Sequence, residues 1–145
     1  QFPERVTLDS KFLSVPFLSG ILTDAHVAER NRLGRDVAFL ARILEQGWTY
    51  RASGIFIDEK TAVLLRPDGR ATVIGPGHAY FVRASSKPEI CQPGKPLTFR
   101  NLAVYRAGQG GFFDLSAWRG GGGSAYQISA ENGVMHSTQS NGSVY

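Results

Sequence analysis

Between Thr23 and Arg35 the chain sets one imidazole, His26, among the carboxylate of Asp24 and the guanidinium groups of Arg30, Arg32 and Arg35. A neutral imidazole can take a proton near physiological pH. Guanidinium forks bind carboxylates and phosphates in planar, bidentate pairs. The combination fits acid–base chemistry on an anionic ligand. The element that must position these groups is a helix, because Leu33, Val37, Leu40 and Leu44 repeat at helical spacing. Asn31 stands in the N-cap position and Gly47 at the C-terminal stop, so the helix is expected to run to about Gln46. The arginines then lie at or just before a helix N-terminus, where positive partial charge disfavours cations. Selection for helix stability alone would place acids there. The misplaced charge points to an anion-binding site, against the bland alternative of a solvated basic turn.

A second acid worth weighing is Glu59. It follows the apolar run Gly54-Ile55-Phe56-Ile57, which reads as a buried strand ending at Asp58-Glu59. Active sites of α/β sheets gather at the carboxyl ends of strands. A histidine whose tautomer is fixed by a carboxylate can activate a hydroxyl nucleophile. The chain offers no credible serine for it. Gly122-Gly123-Ser124-Ala125-Tyr126 comes nearest to a nucleophile elbow but leads into strand pattern rather than helix, and Ser53 precedes a strand. Gly75-Pro76-Gly77-His78 mimics the start of a dinucleotide fingerprint, lacks its third glycine and reads as a turn. Trp48, Tyr50 and Trp118 read as packing residues more readily than as a ligand platform.

The remaining elements are mostly strands. Arg5–Leu8 is expected as a short strand, followed by an apolar loop from Phe12 to Leu22. Thr61–Leu65 and Ala71–Ile74 flank the turn residues Pro67-Asp68-Gly69-Arg70. Ala79–Val82 is a strand, Ser85–Pro96 a loop, Leu97–Tyr105 a long strand and Phe112–Leu115 a short one. Gly120–Gly123 reads as a flexible link. Ala125–Ser129 and Val134–Ser137 form a hairpin around Asn132-Gly133. One long helix followed by many strands is α+β order, or the second half of an α/β sheet with a β-rich extension.

Bulk properties narrow the function classes. The 145 residues fit one domain with a real core. A net charge of +4 favours acidic ligands without the dense Lys/Arg stripe of a nucleic-acid binder. No apolar run approaches the length of a membrane span. Cys91 is the only cysteine and cannot form a disulfide within the chain. His26, His78 and His136 are far apart in sequence, so no metal site is expected. The start, Gln1-Phe2-Pro3-Glu4, carries no initiator Met or visible signal peptide and reads as a processing product or an artificial boundary.

Two blocks resemble a known family. Asp24-Ala25-His26 with Arg30-x-Arg32-x-Gly34-Arg35, and Gly54-Ile55-Phe56-Ile57-Asp58-Glu59-Lys60-Thr61-Ala62, resemble the D-x-H-F-x-x-R-x-R-x-G-R and G-I-x-I-D-E-x-T-A blocks of cyanophycinases. These are serine peptidases related to dipeptidase E. Val73-Ile74-Gly75-x-Gly77, Pro96-Leu97-Thr98 and Phe113-Asp114-Leu115 resemble the family's C-terminal strands. Ala25 stands where the family has Gln or Thr, and Val27 where it has Phe.

The resemblance implies the C-terminal half of a class I glutamine-amidotransferase-like, flavodoxin-like α/β sheet over residues 1–118. Residues 119–145 would be a Gly-rich link and terminal β-hairpin packed on the same domain. It implies His26 and Glu59 as catalytic residues, and Asp24, Arg30, Arg32 and Arg35 as substrate-binding residues. The reaction would be hydrolysis of β-Asp-Arg type peptides through an acyl-enzyme, with no cofactor. The nucleophilic serine would come from the N-terminal half as a separate polypeptide. A homodimer of the complete unit is compatible with this, as is export, since the Trp118–Tyr145 tail resembles exported variants. A catalytically inactive module binding anions or peptides is the alternative. Nucleic-acid binding through the arginines is disfavoured by sparse Lys/Arg elsewhere.

Overall fold

The computed structural model describes Leu8 and residues 15–145. The strand expected over Arg5–Leu8 lies outside these residues apart from Leu8 itself. The elements are β1 (Ile21–Ala25), α1 (Leu33–Glu45), β2 (Ala52–Ile57), β3 (Ala62–Leu65), β4 (Arg70–Ile74), β5 (Ala79–Ala84), β6 (Phe99–Asp114), β7 (Arg119–Glu131) and β8 (Val134–Ser137).

The apolar stripe does make α1. Leu33, Val37, Leu40, Ala41 and Leu44 are buried. Gly47, at φ +71°, ends it. Its amide donates to Leu44 O (3.1 Å) and the Trp48 amide to Ile43 O (3.2 Å), the paired reversal that satisfies the last carbonyls. The helix start differs from expectation. Asn31 does not cap it; Arg32 occupies the N-cap position without a side-chain cap. The chain enters through a tight turn, in which the Arg30 amide reaches His26 O and the Arg32 amide Val27 O. That turn leaves the Asn31 amide oxygen facing the Tyr145 hydroxyl, 2.9 Å away.

The strands form one mixed sheet in the order β1-β2-β5-β6-β4-β3, with β7 pairing β6 and β8. Among the described strands only β1 and β2, which are joined by α1, pair in parallel; the other ladders are antiparallel. The molecule is therefore α/β-like at one edge and a curled antiparallel sheet elsewhere. β6 also corrects the expectation of two separate strands. Residues 103–107 pair with β5 and 112–114 with β4, so the sheet forks on either side of Gly108–Gly111. The alternation along β2 serves both faces. Phe56 packs under α1 with Tyr80, Val82, Leu102, Val104 and Ile128. Ile55 faces the inside of the curl with Val73, Phe81 and Phe113. The Phe81 and Phe113 rings stack there at 4.1 Å.

The glycine run read as a flexible link lies inside β7 and is hydrogen-bonded to β6. Its glycines meet a steric need. A Cβ on Gly120 would lie 2.1 Å from the Tyr105 ring, and one on Gly123 2.2 Å from Arg106 O. Aromatic side chains of β6 cover the bare strand. The terminal hairpin turns through Asn132 (φ 49°) and Gly133 (φ 80°), both in the left-handed region that an Asn-Gly turn demands.

Candidate functional site

β1 and β2 run parallel with Ala25 opposite Ile57, so the residues after each strand emerge at the same end of the sheet. His26 is the first residue beyond β1 and Glu59 the second beyond β2. The structure thus brings the two sequence-predicted groups to one sheet end, without a hydrogen bond or ion pair between their side chains among the described residues. His26 has φ 57°. A non-glycine residue there is sparsely populated and costs on the order of 1 kcal/mol or more. The position is held from both sides. The Val27 amide donates to Ile57 O (3.1 Å), and the Val27 side chain is fully buried in the core under α1.

The acid at the centre of this end is Asp58, which sequence reasoning passed over. It is 5% exposed. Oδ1 accepts the Ala28 amide at 3.2 Å; Oδ2 accepts the His78 amide at 2.9 Å and the Tyr80 hydroxyl at 3.3 Å. His78 Nδ1 lies 3.5 Å from Oδ2. One buried carboxylate therefore joins the loop after β1, the end of β2 and the start of β5. Burial, and then the Asp58 charge, push the Tyr80 phenol well above its ordinary range. Glu59 is exposed, and its amide donates to Glu29 Oε1 at 2.9 Å, a second tie between the two loops. His78, read from sequence as part of a turn, is half-exposed beside this hub.

The arginines divide. Arg32 Nη1 donates to Ala25 O at 3.0 Å and lies 3.5 Å from Asp24 Oδ1. Arg35, in the first turn of α1, pairs with Asp24 Oδ2 and places Nε 3.5 Å from Asp36 Oδ1. Arg30 is exposed and forms no ion pair with a described residue. Asp24 Oδ1 also accepts the Ala25 amide at 2.9 Å. Burial works to raise the Asp24 carboxyl, but its neighbour Asp36, the Ala25 amide and Arg35 outweigh it and hold it below its ordinary value.

Asp36 is fully buried, and its Oδ2 has no hydrogen-bond partner among the described residues. Burial first, then the neighbouring Asp24 carboxylate, push it up to about 7. Nothing in the sequence marked it beyond an acid in the first turn of a helix, where acids are common.

Beside Asp24 an apolar cleft of about 460 Å³ opens between β1 and β3, lined by Leu18, Thr23, Asp24, Ile57, Val63 and Leu65. No described strand pairs with the outer side of β1 or of β3. The serines weighed from sequence stand elsewhere. Ser53 is buried in β2 and accepts Arg83 Nε at 3.1 Å. Ser124 is exposed within β7, opposite Arg106. Trp118 packs edge-on against Phe113, with the Arg83 guanidinium 3.8 Å above its ring. Trp48 and Tyr50 are exposed.

The chain is distantly similar to cyanophycinase. It is 29% identical over 99 residues to cyanophycinases from Trichormus variabilis and from a Nostoc species. The matched stretch is 66% of this chain and 31% of each relative, so the chain spans under a third of the length of the curated proteins it matches. No family model matches it.

Proposed function

We propose that this chain carries the histidine and the acid of a serine-type amide hydrolase resembling cyanophycinase, and that a second polypeptide supplies the nucleophile. The observation that carries the reading is the position of His26 and Glu59 at the ends of one parallel strand pair, beside a cluster of arginines. In this reading His26 takes the proton of the incoming serine and then returns it to the leaving amine. Glu59 fixes the imidazole tautomer and stabilises the imidazolium. Its exposed carboxylate is free to turn to His26 once a partner covers this end of the sheet. Asp24, Arg30, Arg32 and Arg35 line the substrate side, where planar forks bind the carboxylates of an aspartate-rich peptide of β-Asp-Arg type.

The partner is the N-terminal half of a class I glutamine-amidotransferase-like fold, and the outer edge of β1 is where its strand would pair. Exposed sheet edges and open apolar clefts are features that compact proteins cover. A second reading, a non-catalytic module that binds anionic peptides, is favoured by the lack of direct contact between His26 and Glu59.

The experiment that separates the two is purification of the chain with whatever travels with it. Intact mass and fluorophosphonate labelling of every component follow, and then an assay for release of β-Asp-Arg dipeptides. A labelled serine on the companion, with turnover abolished by His26→Ala, supports the hydrolase. A cooperatively folded monomer that binds aspartyl peptides without turnover supports the binding module.

A further inference from the structure

Four side chains at the start of α1 form one contact chain: Arg32 with Asp24, Asp24 with Arg35, and Arg35 with Asp36. Their charges cancel when both acids are ionised. When Asp36 is neutral, one carboxylate faces two guanidinium groups, and the cluster carries one uncompensated positive charge. We propose that Asp36 is a proton switch that decides whether this cluster has charge left for an anionic ligand. The proposal rests on the anionic-ligand part of the functional reading and is independent of its peptidase part.

The geometry argues for a neutral Asp36. The side chain is fully buried, and Oδ2 has no donor among the described residues. A buried carboxylate oxygen without a donor loses its hydration for nothing in return. A protonated oxygen avoids that loss and can donate to Asp24, the nearest acid. Three elements supply the polar groups around Asp36. β1 brings Asp24. α1 brings Arg35, with Arg32 one contact further on. The C-terminal segment brings Tyr145, whose hydroxyl accepts the Leu33 amide at 3.4 Å and is itself pushed up mainly by its burial. The direction of the shift at Asp36 agrees with this arrangement.

Coupling between two ligands is reciprocal, and a proton is one of them. An anion held by Arg32 and Arg35 therefore favours the protonated acid, and binding takes up a proton. Deprotonating Asp36 gives Arg35 a second internal carboxylate and closes the cluster on itself. The device makes affinity for a carboxylate-bearing ligand fall as pH rises past neutrality.

Two measurements on the intact chain test this. The first is a ¹³C NMR titration of the aspartate carboxyl carbons, in which Asp36 is expected to titrate near neutrality. The second is calorimetry with sulfate, an anion of constant charge, at pH 6 and pH 8. His26 is also ionisable, so the deciding quantity is the wild-type change divided by the change in Asp36→Asn. It is expected to be about tenfold weaker binding at pH 8, from the protonated fraction alone. An Asp36 midpoint in the ordinary carboxylate range, or equal pH dependence in wild type and variant, overturns the proposal. Absence of sulfate binding at both pH values overturns it as well. That result leaves the peptidase reading standing, because serine labelling and turnover test it separately.

Discussion

The Ala28 amide donates to the buried carboxylate of Asp58, 3.2 Å away, and helps tie the loop that bears His26 to the end of β2. The same carboxylate also holds the His78 amide and the Tyr80 hydroxyl.

Asp58→Ala removes the acceptor and leaves three donors without their partner. Each unsatisfied buried group costs about 1–3 kcal/mol, less whatever water recovers. A loss of roughly 3 kcal/mol or more in urea unfolding is expected, with a smaller loss for Asp58→Asn, which keeps one carbonyl oxygen. A variant as stable as the parent would mean that Asp58 does not brace the loop.

His26→Gly separates folding from function. Glycine adopts φ 57° without strain, so the variant should be as stable as the parent or more stable by about 1 kcal/mol. In a complete assembly that hydrolyses peptides, the same change should lower turnover by several orders of magnitude, the scale seen when a triad is broken. Thermal unfolding and steady-state kinetics on one preparation check both halves.

Asp36 makes stability depend on pH with a definite sign. Its folded-state value, about 7, lies above the ordinary 3.8, so the folded chain binds this proton more tightly than the unfolded chain. The contribution is fully present below about pH 4, declines as pH rises toward about 7, and levels off above that. Asp36→Asn removes the titration. The stability of the parent minus that of the variant should fall by up to roughly 4 kcal/mol between pH 4 and pH 8. Denaturant midpoints across that range give the curve, and a flat difference would contradict it.

Gly123→Ala tests the strand identity of the glycine run. A linker would tolerate alanine or gain slightly from it. A strand in which the new Cβ meets Arg106 O at 2.2 Å must shift. A loss of about 1–3 kcal/mol, the range for overpacking, is expected from denaturant unfolding.

Much of the scaffold was legible because its signals are local. The Leu33–Leu44 stripe, Gly47, the Pro67–Gly69 turn and the Asn132-Gly133 hairpin each carry their own chemistry and appear where expected. Gly120–Gly123 was misread because its reason for being glycine lies on β6, in Tyr105 and the Arg106 backbone, which sequence order does not reveal. Asn31 failed as a cap because the tight turn at His26–Arg32 fixes the helix entrance. His26, Glu59 and the arginines stood out by residue type and spacing, and the parallel pairing of β1 with β2 sets both acid and imidazole at one sheet end. Asp58 and Asp36 were invisible as special residues. Their role comes from burial, which depends on Tyr80, α1 and the C-terminal segment folding over them.

The order of β6, β7 and β8 bears on how the chain acquires its shape. These strands are consecutive hairpins, closed by the short turns at Leu115–Trp118 and Asn132–Gly133. The pairings of β2 with β5 and of β5 with β6 close longer loops. Short loops lose less entropy on closure, and local pairings form faster. The residues that look by composition like an appendage thus belong, with the β3–β4 hairpin, to the local pairings expected to form early. The β1–α1–β2 unit, by contrast, rests on β5, whose pairing with β2 closes a longer stretch of chain and is expected later.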